Sequence, residues 1–262
     1  MTIRPKKFLG QHFLRDQNIA RKIIESLSLQ GEPRKVLEIG PGMGVLTQYL
    51  VMLKGIDLYV IEIDKESVIY LKEKFPQLKD HLIEGDFLEM DVPSVFRAPF
   101  SIIGNFPYNI SSQILFKILE HRNLVAEVVC MLQKEVADRI SSQHGNKTYG
   151  ILSVLLQTYY SIEFLFKVSP GVFHPQPKVM SGVIRLTRNE RVSLPCDENL
   201  FTRVVKQGFN NRRKTLRNAL KNLNLPPAIS TRAMLDKRAE QLSVEEFIQL
   251  TLIIEQHRVT GV

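Results

Sequence analysis

Gly104-Asn105-Phe106-Pro107-Tyr108 sets an amide, a proline and an aromatic at the end of a buried apolar run, Phe100 to Ile103. Such a set can grip an exocyclic amine. The Asn105 side chain offers a carbonyl oxygen as acceptor. Pro107 carries no N–H and biases Phe106 toward an extended conformation, which frees the carbonyl between them as a second acceptor. Tyr108 supplies a flat face on which a base can stack. The same residues also read as a plain strand-to-helix turn capped by Asn109 or Ser111. The rest of the chain has to choose between the two.

A second constellation lies upstream. The short apolar strand Val36-Leu37-Glu38-Ile39 runs into Gly40-Pro41-Gly42-Met43-Gly44 and then a helix over Val45 to Leu53. A glycine-rich turn between strand and helix brings backbone close to a ligand and aims helix N–H groups at it. A dinucleotide fingerprint would need glycine where Val45 stands; G-x-G-x-G after an acid, Glu38, instead resembles motif I of S-adenosylmethionine-dependent methyltransferases. Glu62 ends the next strand, Leu58 to Ile63, about 20 residues past the glycines, where doubly wound folds bond ribose hydroxyls. Asp64 then caps a helix over Lys65 to Phe75. Asp86 follows a third strand, His81 to Ile83, where it can accept from an adenine amino group between Phe87 and Ile63, or serve as an ordinary turn residue.

The elements that must position these residues alternate. A helix starts at Asp16 or Asn18 and stops at Gly31 and Pro33. Strands at 100–103 and 125–132 flank a helix over Ser111 to Glu120, and a helix from Gln133 to about Ser142 follows. The pattern predicts an α/β fold, a Rossmann-like parallel sheet with helices on both faces and its ligand edge at the carboxyl ends of the strands. A helix over 149–160 precedes two last strands, Glu163 to Val168 and Gly182 to Leu186. Pro175 and Pro177 stiffen the loop between these strands and leave Phe173 exposed; the loop reads either as a plain hairpin connection or as the carrier of a second aromatic opposite Tyr108.

Past Arg188 only helices are expected, so residues 1–190 read as the catalytic domain and 191–262 as a small all-α domain. A helix over Leu200 to Leu223 holds Arg212, Arg213, Lys214 and Arg217 among seven cations and no acid. Single-sign charge at that density suits phosphate contacts better than a solvated face. Leu225-Pro226-Pro227 breaks this helix, and Ser243 with Glu246 forms a capping box for the last one. Pro5 to Arg15, basic and aromatic, is either a frayed tail or a lid.

Composition bounds the function. The chain has 262 residues, 44% of them hydrophobic, and a net charge of +8, which suits a polyanionic partner. No run approaches the ~18 apolar residues of a membrane helix. The first residues lead into no secretory core, so a cytoplasmic protein is expected. Cys130 and Cys196 lack metal-ligand spacing, and no metal is expected.

Gly10-Gln11-His12-Phe13-Leu14, Glu38 to Gly42, Gly104 to Ser111, Leu132 to Glu135, Phe173 to Val179 and Phe209 to Asn218 together resemble the bacterial small-subunit rRNA adenine dimethyltransferases along essentially the whole chain. His12 departs from the usual Asn of that family and Phe106 from the commoner Leu. The resemblance implies methyl transfer from S-adenosylmethionine to N6 of two adjacent adenosines near the 3′ end of 16S rRNA, in ribosome biogenesis, by a monomer acting on the small subunit. It implies cofactor contacts at His12, Leu14, Gly40, Glu62, Asp86 and Asn105, catalytic roles for Asn105, Phe106 and Tyr108, and rRNA contacts at Phe173, Arg212, Arg213, Lys214 and Arg217.

Overall fold

A computed structural model describes residues 4–28, 34–223, 225, 229 and 232–259. The chain divides into two compact units, residues 1–137 with 161–188, and residues 138–160 with 189–262.

The first unit is built on a sheet of seven strands in the order β4-β3-β2-β5-β6-β9-β7. These are β2 (Arg34–Ile39), β3 (Ile56–Glu62), β4 (Leu82–Glu84), β5 (Phe100–Asn105), β6 (Val125–Gln133), β7 (Tyr160–Val168) and β9 (Ser181–Arg188). Strands β2 to β6 pair in parallel, and β9 runs antiparallel to β6. Val36, Leu37, Ile102, Ile103, Val128 and Val129 are fully buried, as expected of strands covered on both faces. Register aligns the carboxyl ends: Ile39 lies beside Ile61 and Glu62 beside Glu84. One edge therefore collects Gly40, Glu62, Gly85 and Asn105.

The covering helices are α1 (Gln17–Glu25), α2 (Thr47–Leu50), α3 (Lys65–Lys74), α4 (Val92–Val95) and α5 (Ser111–Glu120), with α6 (Lys134–Ser141) leaving the sheet after β6. Asp16 caps α1, accepting from the N–H groups of Asn18 (2.8 Å) and Ile19 (3.0 Å). Gly31 and Pro33, the expected stop of α1, lie outside the described residues, and the helix ends earlier, at Glu25. The helix expected over 45–53 is shorter as a regular element, Thr47–Leu50, and is flanked by turns whose N–H groups bond three or four residues back from Gln48 to Leu53.

A two-stranded ribbon completes this unit: β1 (Phe13–Leu14) runs antiparallel to β8 (Phe173–His174), with Leu14 opposite Phe173. Phe173 is 4% exposed and belongs to the core cluster with Leu14, Ile23 and Val183. The expectation of an exposed Phe173 is thus corrected. Strand pairing turns its ring inward, where no face is open to a base.

The second unit contains α7 (Ile151–Tyr159), α8 (Glu198–Asn210), α9 (Leu216–Ala219) and α10 (Val244–Val259). Residues 138–160, read from sequence as part of the catalytic domain, group here. Seven of the nine α7 residues are buried, and a helix apolar all round needs cover on every side. α8 and α10 supply it.

The single basic helix expected over 200–223 does not form. Helix α8 stops at Asn210, residues 211–214 form a turn, and Thr215 leads into α9. Arg213 and Arg217 therefore do not share one helical face. Pro226 and Pro227 lie outside the described residues. The capping box forms: Ser243 N–H donates to Glu246 Oε2 (2.9 Å), and Glu246 N–H to Ser243 Oγ (3.2 Å). Among the described residues no helix is long and apolar enough to cross a membrane.

Candidate active site

At the carboxyl edge of the sheet lies a cavity of about 230 Å³. Gly40, Gly42, Glu62, Asp86, Asn105, Phe106, Tyr108 and His12 all line it, together with Phe8 to Gln11. Seven of the eight residues expected to touch cofactor or substrate amine thus meet in one place, and Gly42 joins them. Leu14 is the exception: it is 4% exposed and faces the core, because its register partner is the buried Phe173.

The glycine turn explains part of the cavity's shape. Gly40 has φ +66°, and a Cβ built there would meet no atom within 4 Å. The side chain it lacks would stand in the open space of the cavity. Gly42, at φ +55°, is tight instead: a Cβ would come within 2.8 Å of the Phe13 ring. Gly85 again leaves clear space. Backbone approach from two strand ends, with Ile63 48% exposed and Phe87 on the walls, suits a flat ligand bearing hydroxyl and amino donors.

Two carboxylates face such donors. Glu62 is 4% exposed; its oxygens accept from the N–H groups of Gly42 and Asp64, each at 2.9 Å. Burial raises its carboxyl above the ordinary value, and those N–H donors oppose the rise. One bond per oxygen leaves lone pairs for a ligand hydroxyl. Asp86 accepts from Leu88 N–H (2.8 Å), which fixes its carboxylate at the rim. Glu38 lies deeper and is a support: Thr47 Oγ1 donates to it at 2.6 Å, and burial lifts its carboxyl to about 8.

Asn105 donates its side-chain N–H to the carbonyl of His12 (2.9 Å), so its own Oδ1 is left as acceptor. Phe106 N–H donates to the Met131 carbonyl (3.0 Å), anchoring that peptide to β6. Tyr108 is half-buried, its hydroxyl 2.5 Å from Ser181 Oγ. Burial raises its phenol above the ordinary value, and the Ser181 bond works against the rise.

The amino-terminal segment, expected as a frayed tail or a lid, lines the cavity and is held by identifiable ties. Lys6 pairs with Asp64 and, at 3.1 Å, with Glu66. His12 Nδ1 meets the Pro175 carbonyl at 2.7 Å, and Arg15 N–H donates to the Val172 carbonyl at 2.8 Å. Burial raises the Asp64 carboxyl, but bonds from Lys6, Ser67 and Gln11 outweigh it and hold the group below its ordinary range. Sequence reading gave Asp64 only its capping role, and found neither Lys6 nor Ser181 as partners. Nothing in local spacing marks pairs 58 and 73 residues apart.

The basic cluster resolves into two kinds of residue. Arg212 donates to the carbonyls of Lys147 and Tyr149, the latter at 3.1 Å, and lies 3.9 Å from Glu240. Arg217 Nε and Nη2 both bond Asp236 Oδ1, at 3.0 and 2.6 Å. Arg213 and Lys214 are exposed and pair with no described carboxylate.

The sequence profile of the ribosomal RNA adenine dimethylases matches residues 3–256. The chain is 59% identical over 249 residues to "Ribosomal RNA small subunit methyltransferase A" of Cytophaga hutchinsonii, covering 95% of this chain and 96% of that protein. Among solved structures it resembles a dimethyladenosine transferase from Plasmodium falciparum, at 27% identity and a TM-score of 0.78, over 96% of this chain and 99% of the other. It also resembles the 23S rRNA methyltransferase ErmE, at 25% identity and a TM-score of 0.65, over 91% and 99%. A family match over residues 3–256 and a relative at 59% identity place this chain in the ribosomal RNA adenine dimethylase family, enzymes that use S-adenosylmethionine.

Proposed function

We propose that this enzyme methylates N6 of two adjacent adenosines near the 3′ end of 16S rRNA, on the small ribosomal subunit, as a cytoplasmic monomer in ribosome biogenesis. The observation that carries the reading is the grip at Asn105, Phe106 and Tyr108, facing the cavity that Gly40, Glu62 and Asp86 also line. Relatives above half identity bear the small-subunit name, whereas the likeness to a 23S rRNA enzyme stands at 25% identity.

S-adenosylmethionine, when bound, supplies a methyl group already activated on a sulfonium. Glu62 would accept from its ribose hydroxyls and Asp86 from its adenine amino group, Gly40 would let backbone approach, and the His12 segment would border it. Adenine N6 is a poor nucleophile because its lone pair is delocalised into the ring. Asn105 Oδ1 and the Phe106 carbonyl accept its N–H groups, favour a pyramidal nitrogen and aim the lone pair. Fixed alignment, expressed as effective molarity, supplies much of the rate. The base has left its stack at a cost of a few kcal/mol, and stacking on Tyr108 returns about 1–3 kcal/mol. The Phe106 side chain, 1% exposed and on the cavity wall, shapes the room for the second methyl. Arg213 and Lys214 of the helical unit neutralise rRNA phosphates.

Labelled methyl transfer to unmodified small-subunit particles, with large-subunit RNA alongside, tests the substrate. Label entering only the large-subunit RNA defeats the reading. Asn105→Ala should lower turnover about 10²–10³-fold, the usual cost of removing one preorganised polar group at a reacting centre, with particle affinity little changed. Near-normal turnover would reduce Asn105 to a turn residue.

A further inference from the structure

Phe13, which lines the cavity, also lines another concavity, of about 400 Å³. Its lining brings together Arg4, Arg15, Lys74 and His174, four residues dispersed over 170 positions, and includes no acidic residue. None of the four pairs with a described carboxylate. The acids nearest in sequence are otherwise occupied or point elsewhere: Asp16 accepts the N–H groups that cap α1, and Glu73 is no part of the lining. Lys74 holds its ammonium 5.2 Å from the Tyr70 ring centre and 5.3 Å from that of Phe75, against aromatic faces. Cations of one sign around a concavity repel one another unless an anion enters. The volume falls within the ~300–1,000 Å³ of ordinary ligand sites, so there is room for a chain as well as counter-ions.

We propose that this groove binds phosphates of the rRNA strand that carries the target adenosines. The inference rests on the function proposed above. Its ligand is a polyanion because the free groups are guanidinium and ammonium, and a nucleic-acid strand because Tyr70 and His174 add planar surfaces beside the cations. Phe13 forms a wall of both concavities, so a strand delivering a base to Tyr108 can continue past that ring into the groove. The catalytic unit thereby carries its own RNA track.

The test uses the full chain and unmodified small-subunit particles. Arg15→Gln with Lys74→Gln removes two groove charges from exposed side chains. Lys54→Gln with Lys79→Gln removes two exposed, unpaired charges outside it and serves as the control. The groove pair should flatten the dependence of log K on log salt by about 1.4–1.8, two contacts' worth, so the fall in affinity from 50 to 200 mM salt becomes about tenfold shallower. KM for particles should rise, while cofactor affinity by calorimetry, the melting temperature and the control pair's binding stay unchanged. An unchanged slope, or an equal change in the control pair, overturns the groove. Wild-type enzyme that methylates no particle defeats the proposed function itself, an outcome distinct from normal methylation by a variant with undiminished binding.

Discussion

The two basic regions of this protein are assembled in different ways. The stretch 200–223 is dense in cations along the chain and free of acid. Folding nevertheless sets Asp236 beside Arg217, Glu240 near Arg212, and two backbone carbonyls on the Arg212 guanidinium. The groove beside Phe13 is the reverse: Arg4, Arg15 and Lys74 are scattered in sequence and come together without carboxylates. Charge that is concentrated in a sequence is therefore not the same quantity as charge left free by a fold. A polyanion responds only to the second. Partners that quench a cation arrive from any distance along the chain, so an acid-free window sets no limit on them.

Arg212 shows most directly whether a paired cation is structural. If its guanidinium is structural, Arg212→Ala leaves the carbonyls of Lys147 and Tyr149 without a charged donor. Charge-assisted bonds are worth about 1.5–3 kcal/mol, and because this side chain is 41% exposed we expect a loss near the low end, about 2 kcal/mol. That corresponds to a melting temperature lower by roughly 8–16 °C for a unit of this size. The salt slope for particle binding should hardly move. Unchanged melting with a flatter slope would return Arg212 to the phosphate-contacting set.

Among Arg212, Arg213, Lys214 and Arg217, it is Arg213 and Lys214 that are exposed and pair with no described carboxylate. Arg213→Gln with Lys214→Gln should therefore leave melting alone and flatten the salt slope by about 1.4–1.8, as the groove pair does. Combining the two pairs should flatten the slope by about 2.8–3.6, four contacts' worth, where both surfaces meet phosphate. A flattening no greater than that of one pair alone would mean that a single surface serves the RNA and the other faces solvent.

How much of this was legible beforehand follows the reach of each interaction. The runs Val36–Ile39, Leu58–Ile63 and Phe100–Ile103 announce buried strands because burial on both faces leaves an apolar run that needs no partner to be seen. Glu62 and Asn105 end such strands, and parallel register did the rest. Ser111 to Glu120 was likewise readable as a helix to the residue. Phe173 was not readable: its burial depends on a two-residue pairing with Leu14, 159 positions away, and two residues carry no periodicity. The same holds for Ser181 beneath Tyr108 and Lys6 on Asp64. The break in the basic helix did leave a trace. Asn210-Asn211 favours turns over helix interiors, and Thr215 is a residue type that helix starts prefer. Cation spacing drew attention away from both.

The finest test of the comparison is the Arg217–Asp236 pair. Arg217 gives both of its bonds to a single carboxylate oxygen, and the two side chains are 35% and 65% exposed. An exposed pair of this kind contributes about 0.2–1 kcal/mol, so a double-mutant cycle with Arg217→Gln and Asp236→Asn should give a coupling near 0.5 kcal/mol. That energy is small beside a phosphate contact, which makes the pair a competitor that RNA can displace. Asp236→Asn removes the competitor without touching Arg217. If quenching is what separates Arg217 from Arg213, this substitution should steepen the salt slope by about 0.7–0.9, one contact's worth, and tighten particle binding at low salt. Arg217→Gln in the Asp236→Asn background should cancel that gain. A slope that Asp236→Asn leaves unaltered would mean that Arg217 either meets phosphate through its carboxylate neighbour or never meets it, and exposure alone, not pairing, would then divide the cluster.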